Sequence, residues 1–227
     1  MYRLTRPVLA PQVPAPPLVD GAQTPVIIDQ NDDQDRVSMV FRACPALIAE
    51  TPLPTPSGPC PAGDLRPGNQ LVTLDEGPRT LRWVAHLHIR VLGQFAVTEI
   101  AAGVFGATAA THVSPRTPLF FTGWRSELAT GTARALIRAT DLENGLTIRR
   151  RAAGARVILV VPVLERPALV VCNGLILRLS GLCATWLPSE LLPDPDPGAA
   201  RLGPPEDLIF ATPRRAQLLA DPQPVFW

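Results

Sequence analysis

Residues 63–83 constrain the fold more than any other stretch, because they predict a turn, a strand, a second turn and a second strand in direct succession. Pro67 and Gly68 suit the two central positions of a type II turn, since proline fixes φ at the first and glycine supplies positive φ at the second. Residues 70–74 and 79–84 predict two short strands with a bend between them. We therefore expect an antiparallel hairpin in this part of the chain.

The composition is that of a globular chain with no strong electrostatic bias. Of the 227 residues, 46% are hydrophobic and 18% are charged, which is enough for one domain with a full core. The formal net charge is +1, and no stripe of arginine and aromatic residues is found, so nucleic acid is not an expected partner. The single basic run, residues 149–151, is short enough to be a solvated loop or strand end.

The same sequence carries no sign of a membrane span or of a Sec signal peptide. Its apolar runs are shorter than the roughly 18 residues that cross a bilayer. Prolines interrupt the first 17 residues before an apolar signal core is formed. We expect a chain that stays in the cytoplasm or is exported without a cleaved Sec signal peptide.

Cysteine and histidine spacing favours free thiols and no metal or cofactor. The cysteines match neither a zinc-ligand spacing nor the density of a small disulfide framework. His86 and His88 share one face of a predicted strand, yet no third ligand follows nearby in the sequence, so a solvated strand face is the preferred interpretation. The four cysteines are Cys44, Cys60, Cys172 and Cys183.

Proline and acidic residues divide the chain into three parts. Residues 1–36 predict a Pro-rich extended arm with one β-like patch at residues 25–29. Residues 37–192 carry many short apolar runs with turn signals about every ten residues, which is typical of an all-β domain. Residues 193–227 predict a linker and a tail with a short helix at about residues 213–220.

Several elements of the β domain follow from local signals. Residues 46–49 predict the first core strand. Five prolines within residues 51–63 predict a loop or an edge excursion without ladder pairing, because proline lacks the N–H that a ladder needs. Residues 124–131 predict a surface excursion. Asn173 and Gly174 predict a type I′ hairpin turn, in which both central residues have positive φ.

Five motifs, in the right order, resemble the Hint (Hedgehog/intein) domain, in particular the compact Hint domains of alphaproteobacterial secreted and phage-like proteins. Together they cover about residues 40–190, and the resemblance implies a Hint-like horseshoe of short antiparallel strands and hairpins with Pro-rich terminal extensions. The motifs are Ala46-Leu-Ile-Ala-Glu-Thr51, the stretch 64–83, Val113-Ser-Pro-Arg-Thr-Pro-Leu119, Ala139-Thr-Asp-Leu-Glu-Asn-Gly-Leu-Thr-Ile-Arg149 and Val170-Val-Cys-Asn-Gly174.

In that family, the resemblance implies an acyl shift of the peptide bond before a nucleophilic Cys or Ser, with a histidine polarising the bond. The nucleophile's place falls on Phe41, which has no nucleophilic atom. The histidine's place falls on Thr117, whose hydroxyl does not exchange a proton near neutral pH, and Asn69 replaces the acid of the family turn. We therefore expect a catalytically inactive domain with no catalytic residues.

The resemblance leaves two functions open. The first is a structural or protein-interaction module in a phage-like particle or surface assembly. Its contacts with partners or other copies would run through the N-terminal arm and the apolar tail of Phe226 and Trp227. The second is a self-processing domain that cleaves its own chain before Cys44, with Cys44 as nucleophile and His112 as its partner in a shifted register.

Overall fold

The computed structural model describes residues 24–181, apart from the side chain of Arg125, and the backbone of residues 209 and 210. Most of the Pro-rich arm, Cys183, the helix expected at about residues 213–220 and the tail of Phe226 and Trp227 lie outside the described residues. No helix in the described ranges is both long and apolar enough to span a membrane.

The described residues are mostly strands, which confirms the all-β fold class. Two helices and four short 3-10 turns join them; the helices are α1 (Gln34–Ala43) and α2 (Trp124–Thr130), and the turns are Ala62–Asp64, Gly93–Phe95, Val104–Gly106 and Ala139–Leu142. The strands, in chain order, are β1 (Val26–Asp29), β2 (Leu47–Ile48), β3 (Pro52–Thr55), β4 (Gly58–Pro61), β5 (Gln70–Thr73), β6 (Gly77–Arg90), β7 (Val97–Ile100), β8 (Thr111–Val113), β9 (Pro118–Thr122), β10 (Arg134–Arg138), β11 (Ile148–Arg151), β12 (Arg156–Leu164), β13 (Ala168–Cys172), β14 (Leu175–Gly181) and β15 (Ile209–Phe210).

A long antiparallel pair, β6 and β12, forms the centre of a curled sheet. On one side, β6 also pairs with β5 and, in parallel, with β1. On the other side, the sheet continues in the order β11-β7-β8-β2-β12-β14-β9-β10-β15, with β13 paired to β14. The strands β3 and β4 form a separate two-stranded sheet.

The hairpin expected from residues 63–83 is confirmed. The Asn69 N–H donates to the Arg66 carbonyl over 3.0 Å, and Gly68 has a φ of 91°, as a type II turn requires. Strand β5 then pairs antiparallel with the start of β6. The returning strand is longer than expected, since β6 continues to Arg90.

Helix α1 is the main element that the sequence pattern did not predict. Asp33 caps its first turn by accepting a hydrogen bond from the Arg36 N–H over 2.9 Å. Its buried residues, Val37, Val40 and Phe41, recur at helical spacing and cover one face of the sheet. Because β1 pairs with β6 and α1 begins at residue 34, part of the segment expected to be an extended arm belongs to the folded domain.

The surface excursion expected at residues 124–131 is helical over residues 124–130, which form α2. The expectation that residues 51–63 lack ladder pairing was wrong. Residues 51–63 form the β3–β4 hairpin, in which Pro52 lies opposite Pro61 and Pro54 opposite Pro59. The prolines alternate with the residues that donate to the ladder, so their nitrogens point away from the partner strand and no ladder hydrogen bond is lost.

The two faces of the sheet bury two separate clusters. Adjacent side chains of β6 enter different clusters at Val84, which lies in the first cluster, and Ala85, which lies in the second with Leu87. Helix α1 covers the second cluster. A smaller third cluster contains Phe120, Leu136 and Leu169.

The turn between β13 and β14 provides a test of the fold. Asn173 and Gly174 have φ values of 48° and 80°, as predicted, and a Cβ on Gly174 would lie 2.2 Å from the Gly106 carbonyl oxygen. We expect Gly174→Ala to lower the free energy of unfolding by about 3 kcal/mol, since backbone strain and a backbone clash combine. Urea denaturation measures this loss.

Gly77→Ala is the matched control. Gly77 also has positive φ, 75°, in a hairpin, but a Cβ there meets nothing within 4 Å. The expected loss is about 1 kcal/mol from φ alone. Equal losses for the two variants would show that the contact between the Gly174 turn and Gly106 does not constrain the fold.

Candidate functional site

The chain passes from α1 into β2 through Cys44, Pro45 and Ala46, which are buried. Cys44 ends the helix with an extended backbone, and its N–H still donates to the Val40 carbonyl over 2.9 Å. The self-processing alternative, cleavage of the chain before Cys44, would take place at this junction.

Two hydroxyls from the turn after β8 hold the junction. The Ser114 hydroxyl donates to the Cys44 carbonyl over 3.0 Å and accepts from the Ala46 N–H over 3.1 Å. The Thr117 Oγ1 lies 2.9 Å from Ser114 Oγ and 3.4 Å from the Ala46 nitrogen. Both hydroxyls are buried, so they satisfy backbone groups that have no access to water.

The two hydroxyls contact two peptide groups of the junction, through the Cys44 carbonyl and through the Ala46 N–H. The N–H that meets the hydroxyls belongs to the Pro45–Ala46 peptide. The Ala43–Cys44 peptide is placed differently, because its N–H is used inside α1. The residue that follows the Pro45–Ala46 peptide bond is Ala46, and its methyl group offers no nucleophile.

The structure brings Thr117 close to Cys44 through Ser114, whereas Phe41 lies elsewhere. Phe41 is in α1, and its ring packs edge-to-face on Phe95 with 5.5 Å between centroids. The Cys44 side chain lies in the apolar cluster under α1, where burial raises the pKa of its thiol. A thiol in this environment stays protonated at neutral pH.

His112 lies in β8, two residues before Ser114, which corresponds to roughly 7 Å of extended chain. Its Nε2 lies 3.2 Å from the Glu99 carboxylate on the neighbouring strand β7. The imidazole is therefore engaged with Glu99, and no hydrogen bond joins it to Cys44 within the described chain.

Asn69 has a local role in the turn before β5. Its Oδ1 accepts a hydrogen bond from the Arg66 N–H over 2.8 Å. A carboxylate would accept the same bond, so the exchange of acid for amide preserves the turn. The position of Asn69 thus gives no information about the chemistry at the junction.

The pair of histidines on β6 has limited coordination partners. His88 Nδ1 lies 4.0 Å from the Asp29 carboxylate. Burial lowers the pKa of His86, and the positive charges of Arg66 and His88 add to this. Within residues 24–181, no three side chains of His, Cys, Asp or Glu are grouped so that they could hold a metal ion.

A charged cluster around Glu99 was not predicted. The Glu99 carboxylate, on a strand between two others, accepts hydrogen bonds from Arg149 over 2.9 Å and from Arg151, besides its contact with His112. Hydrogen bonds from Arg151, then those from Arg149 and the charges of both, lower the pKa of Glu99 to about 2, although burial opposes them. Glu99 and the basic run of residues 149–151 are visible in the sequence, but the strand register that brings them together is not.

Ser114→Ala tests the structural role of the hydroxyl pair. The change removes the hydroxyl that donates to the Cys44 carbonyl. The Ala46 N–H keeps only its longer contact with the Thr117 hydroxyl. We expect a loss of about 2 kcal/mol in the free energy of unfolding.

Ser126→Ala is the control, because the buried Ser126 Oγ has no hydrogen-bond partner in the described structure. It should be neutral or slightly stabilising in the same urea titration; similar losses for both would contradict the role of Ser114.

Glu99→Gln tests the charged cluster. The folded pKa of about 2 lies below the ordinary 4.5, so the stabilisation is complete above about pH 4.5 and is lost as the pH falls through 2. Since the arginines are half exposed and screened by solvent, we expect Glu99→Gln to lower the free energy of unfolding by about 2 kcal/mol at pH 7, and by less at pH 3.

Glu165→Gln is the control, because it breaks an exposed ion pair with Arg82. It should lower the free energy of unfolding by less than about 1 kcal/mol. A pH-independent effect of Glu99→Gln would contradict this assignment.

Comparisons with solved structures return intein and intein-like domains. The MchDnaB-1 intein is 17% identical, with 59% of this chain and 99% of that chain covered and a TM-score of 0.42. A bacterial intein-like domain from Clostridium thermocellum is 11% identical, with 60% and 98% covered and a TM-score of 0.43. A DnaB intein from Synechocystis sp. PCC 6803 is 12% identical, with 60% and 99% covered and a TM-score of 0.40.

No curated protein matches the chain. The comparison with protein families, in contrast, matches the model described as "Hint domain" to residues 45–177. This match begins at the junction after α1, contains Ser114 and Thr117, and spans more than half of the 227 residues. The protein is therefore a member of the Hint domain family.

Proposed function

We propose that this Hint domain does not cut its own chain and serves as a structural or protein-interaction module. The observation that carries the proposal is the contact of Ser114 and Thr117 with the Pro45–Ala46 peptide. An acyl shift needs a nucleophile on the residue after the polarised bond, and a proton-transferring donor beside it. Ala46 has no nucleophilic atom, and Thr117 stands where the family places histidine.

Cleavage before Cys44 has weaker support. The thiol is buried among apolar side chains, and burial raises its pKa, so little thiolate is available. The Ala43–Cys44 N–H is held within α1 rather than by Ser114 or Thr117. His112 would have to leave Glu99 in order to act as the base.

The interaction role draws on what surrounds the matched region. Helix α1 and β1 precede it and pack on the domain, so the module is fused to a segment of its own. The exposed side chains of Trp124 and Leu128, one turn apart on α2, supply apolar contact area. The N-terminal arm and the tail of Phe226 and Trp227 are further contact elements in this proposal, as in a phage-like particle or surface assembly.

Intact-mass spectrometry tests the loss of self-cleavage. Full-length protein of 24.4 kDa, incubated with excess thiol for a day at pH 7, should keep its full mass. The Cys44→Ala variant should behave identically, as should Cys172→Ala, which removes another buried thiol. A fragment that begins at Cys44, lost in Cys44→Ala but kept in Cys172→Ala, would establish self-processing instead. A fragment that begins at Ala46 would equally contradict the proposal.

The same preparations test the interaction role. Size-exclusion chromatography with light scattering compares the full-length protein with Phe226→Ser/Trp227→Ser over a hundredfold concentration range. We expect the full-length chain to self-associate and the variant to shift toward the monomer. Identical monomeric behaviour at all concentrations would contradict self-assembly through the tail.

A further inference from the structure

Two arginines and one histidine converge on one carboxylate near the edge of the sheet. The Glu99 side chain is 9% exposed, and it accepts hydrogen bonds from the Nε and Nη2 atoms of both Arg149 and Arg151. His112 Nε2 approaches the same carboxylate from β8. Two permanent positive charges thus face one negative charge, so the two arginines and Glu99 together carry a net positive charge.

Strand register explains why these groups meet. Arg149 lies opposite Glu99 on β7, and Glu99 lies opposite His112 on β8, so the three side chains form one row across the sheet. Arg151 is two residues further along β11 and points to the same face. Arg150, between them, lies opposite Thr98 and points to the other face.

The cluster keeps unused donors on its outer side. A guanidinium has five N–H groups, and Glu99 occupies only the Nε and Nη2 positions of each arginine. The Nη1 groups remain, on side chains that are 45% exposed, and so does Nδ1 of His112, whose side chain is 32% exposed. No hydrogen bond from these three groups to another described residue is present.

We propose that the outer edges of Arg149, Arg151 and His112 form a binding site for a phosphate-class oxyanion, either inorganic phosphate or a phosphate monoester. Guanidinium forks match phosphate oxygens in charge and geometry. Three separate donor groups suit the three terminal oxygens of a phosphate monoester, whereas a carboxylate has only two oxygens. This site is independent of the junction at Ala46.

Glu99 acts as a positioning residue in this site. It holds both guanidiniums by their inner edges, so their rotamers are set before a ligand arrives and less conformational entropy is lost on binding. The low pKa of Glu99 keeps the carboxylate ionised at physiological pH, so this anchoring persists there.

Titration of the isotope-labelled full-length protein with inorganic phosphate at constant ionic strength tests the proposal. Backbone amide signals of residues 97–99, 111–112 and 149–151 should shift saturably, with a Kd on the order of 1 mM for this small, half-exposed site. Phosphoserine is the second ligand. Equal binding of phosphoserine identifies a monoester site, and binding of inorganic phosphate alone identifies a site for the free ion.

Variants of the arginine run supply the controls. Arg151→Ala should weaken binding at least tenfold, and Arg150→Ala, on the opposite face of the same strand, should change the Kd less than twofold. If Arg151→Ala does not fold, Arg151→Lys keeps the charge but loses the fork, and it should weaken binding several-fold. An absence of saturable shifts in the wild-type protein, an equal effect of Arg150→Ala, or acetate binding as tight as phosphate would each overturn the proposal.

Discussion

The antiparallel pairing of β6 with β12 is the interaction on which the rest of the domain depends. It runs from Arg90 opposite Arg156 to Leu81 opposite Leu164, and the strands β1, β5, β2 and β14 all attach to this pair. Buried backbone groups must find partners, so a pair of this length fixes the register of every strand added to it. The alternation along β6 then decides which side chains enter each of the two apolar clusters.

The junction between α1 and β2 depends on the same register. Ser114 reaches the Cys44 carbonyl because β8 pairs with β2 at Val113 and Leu47. The hydroxyl pair therefore satisfies a buried bend of the backbone, and this need exists with or without catalysis. The domain gains stability from these hydroxyls in either case, which gives a physical reason for their presence here.

Local signals in the sequence predicted most strands and turns, but not the contacts between distant segments. The turn at Pro67 and Gly68 and the hairpin at Asn173 and Gly174 require particular backbone angles. These residue types favour those angles, so the sequence alone predicts both turns. Helix α1 had a visible Asp33 cap and helical spacing of apolar residues, yet the preceding prolines favoured an extended interpretation. The meeting of Ser114 with Ala46, and of Glu99 with Arg149 and Arg151, depends on strand register over about fifty to seventy residues, which no local pattern encodes.

The paired prolines of the β3–β4 hairpin have a consequence for solubility. The outward-facing positions of this small sheet are Pro52 and Pro54 on one edge and Pro59 and Pro61 on the other. Neither edge therefore presents an N–H to a passing strand, and edge-to-edge growth into larger sheets lacks its donors. A domain rich in strands thus carries a two-stranded sheet that resists edge-to-edge aggregation through its own composition.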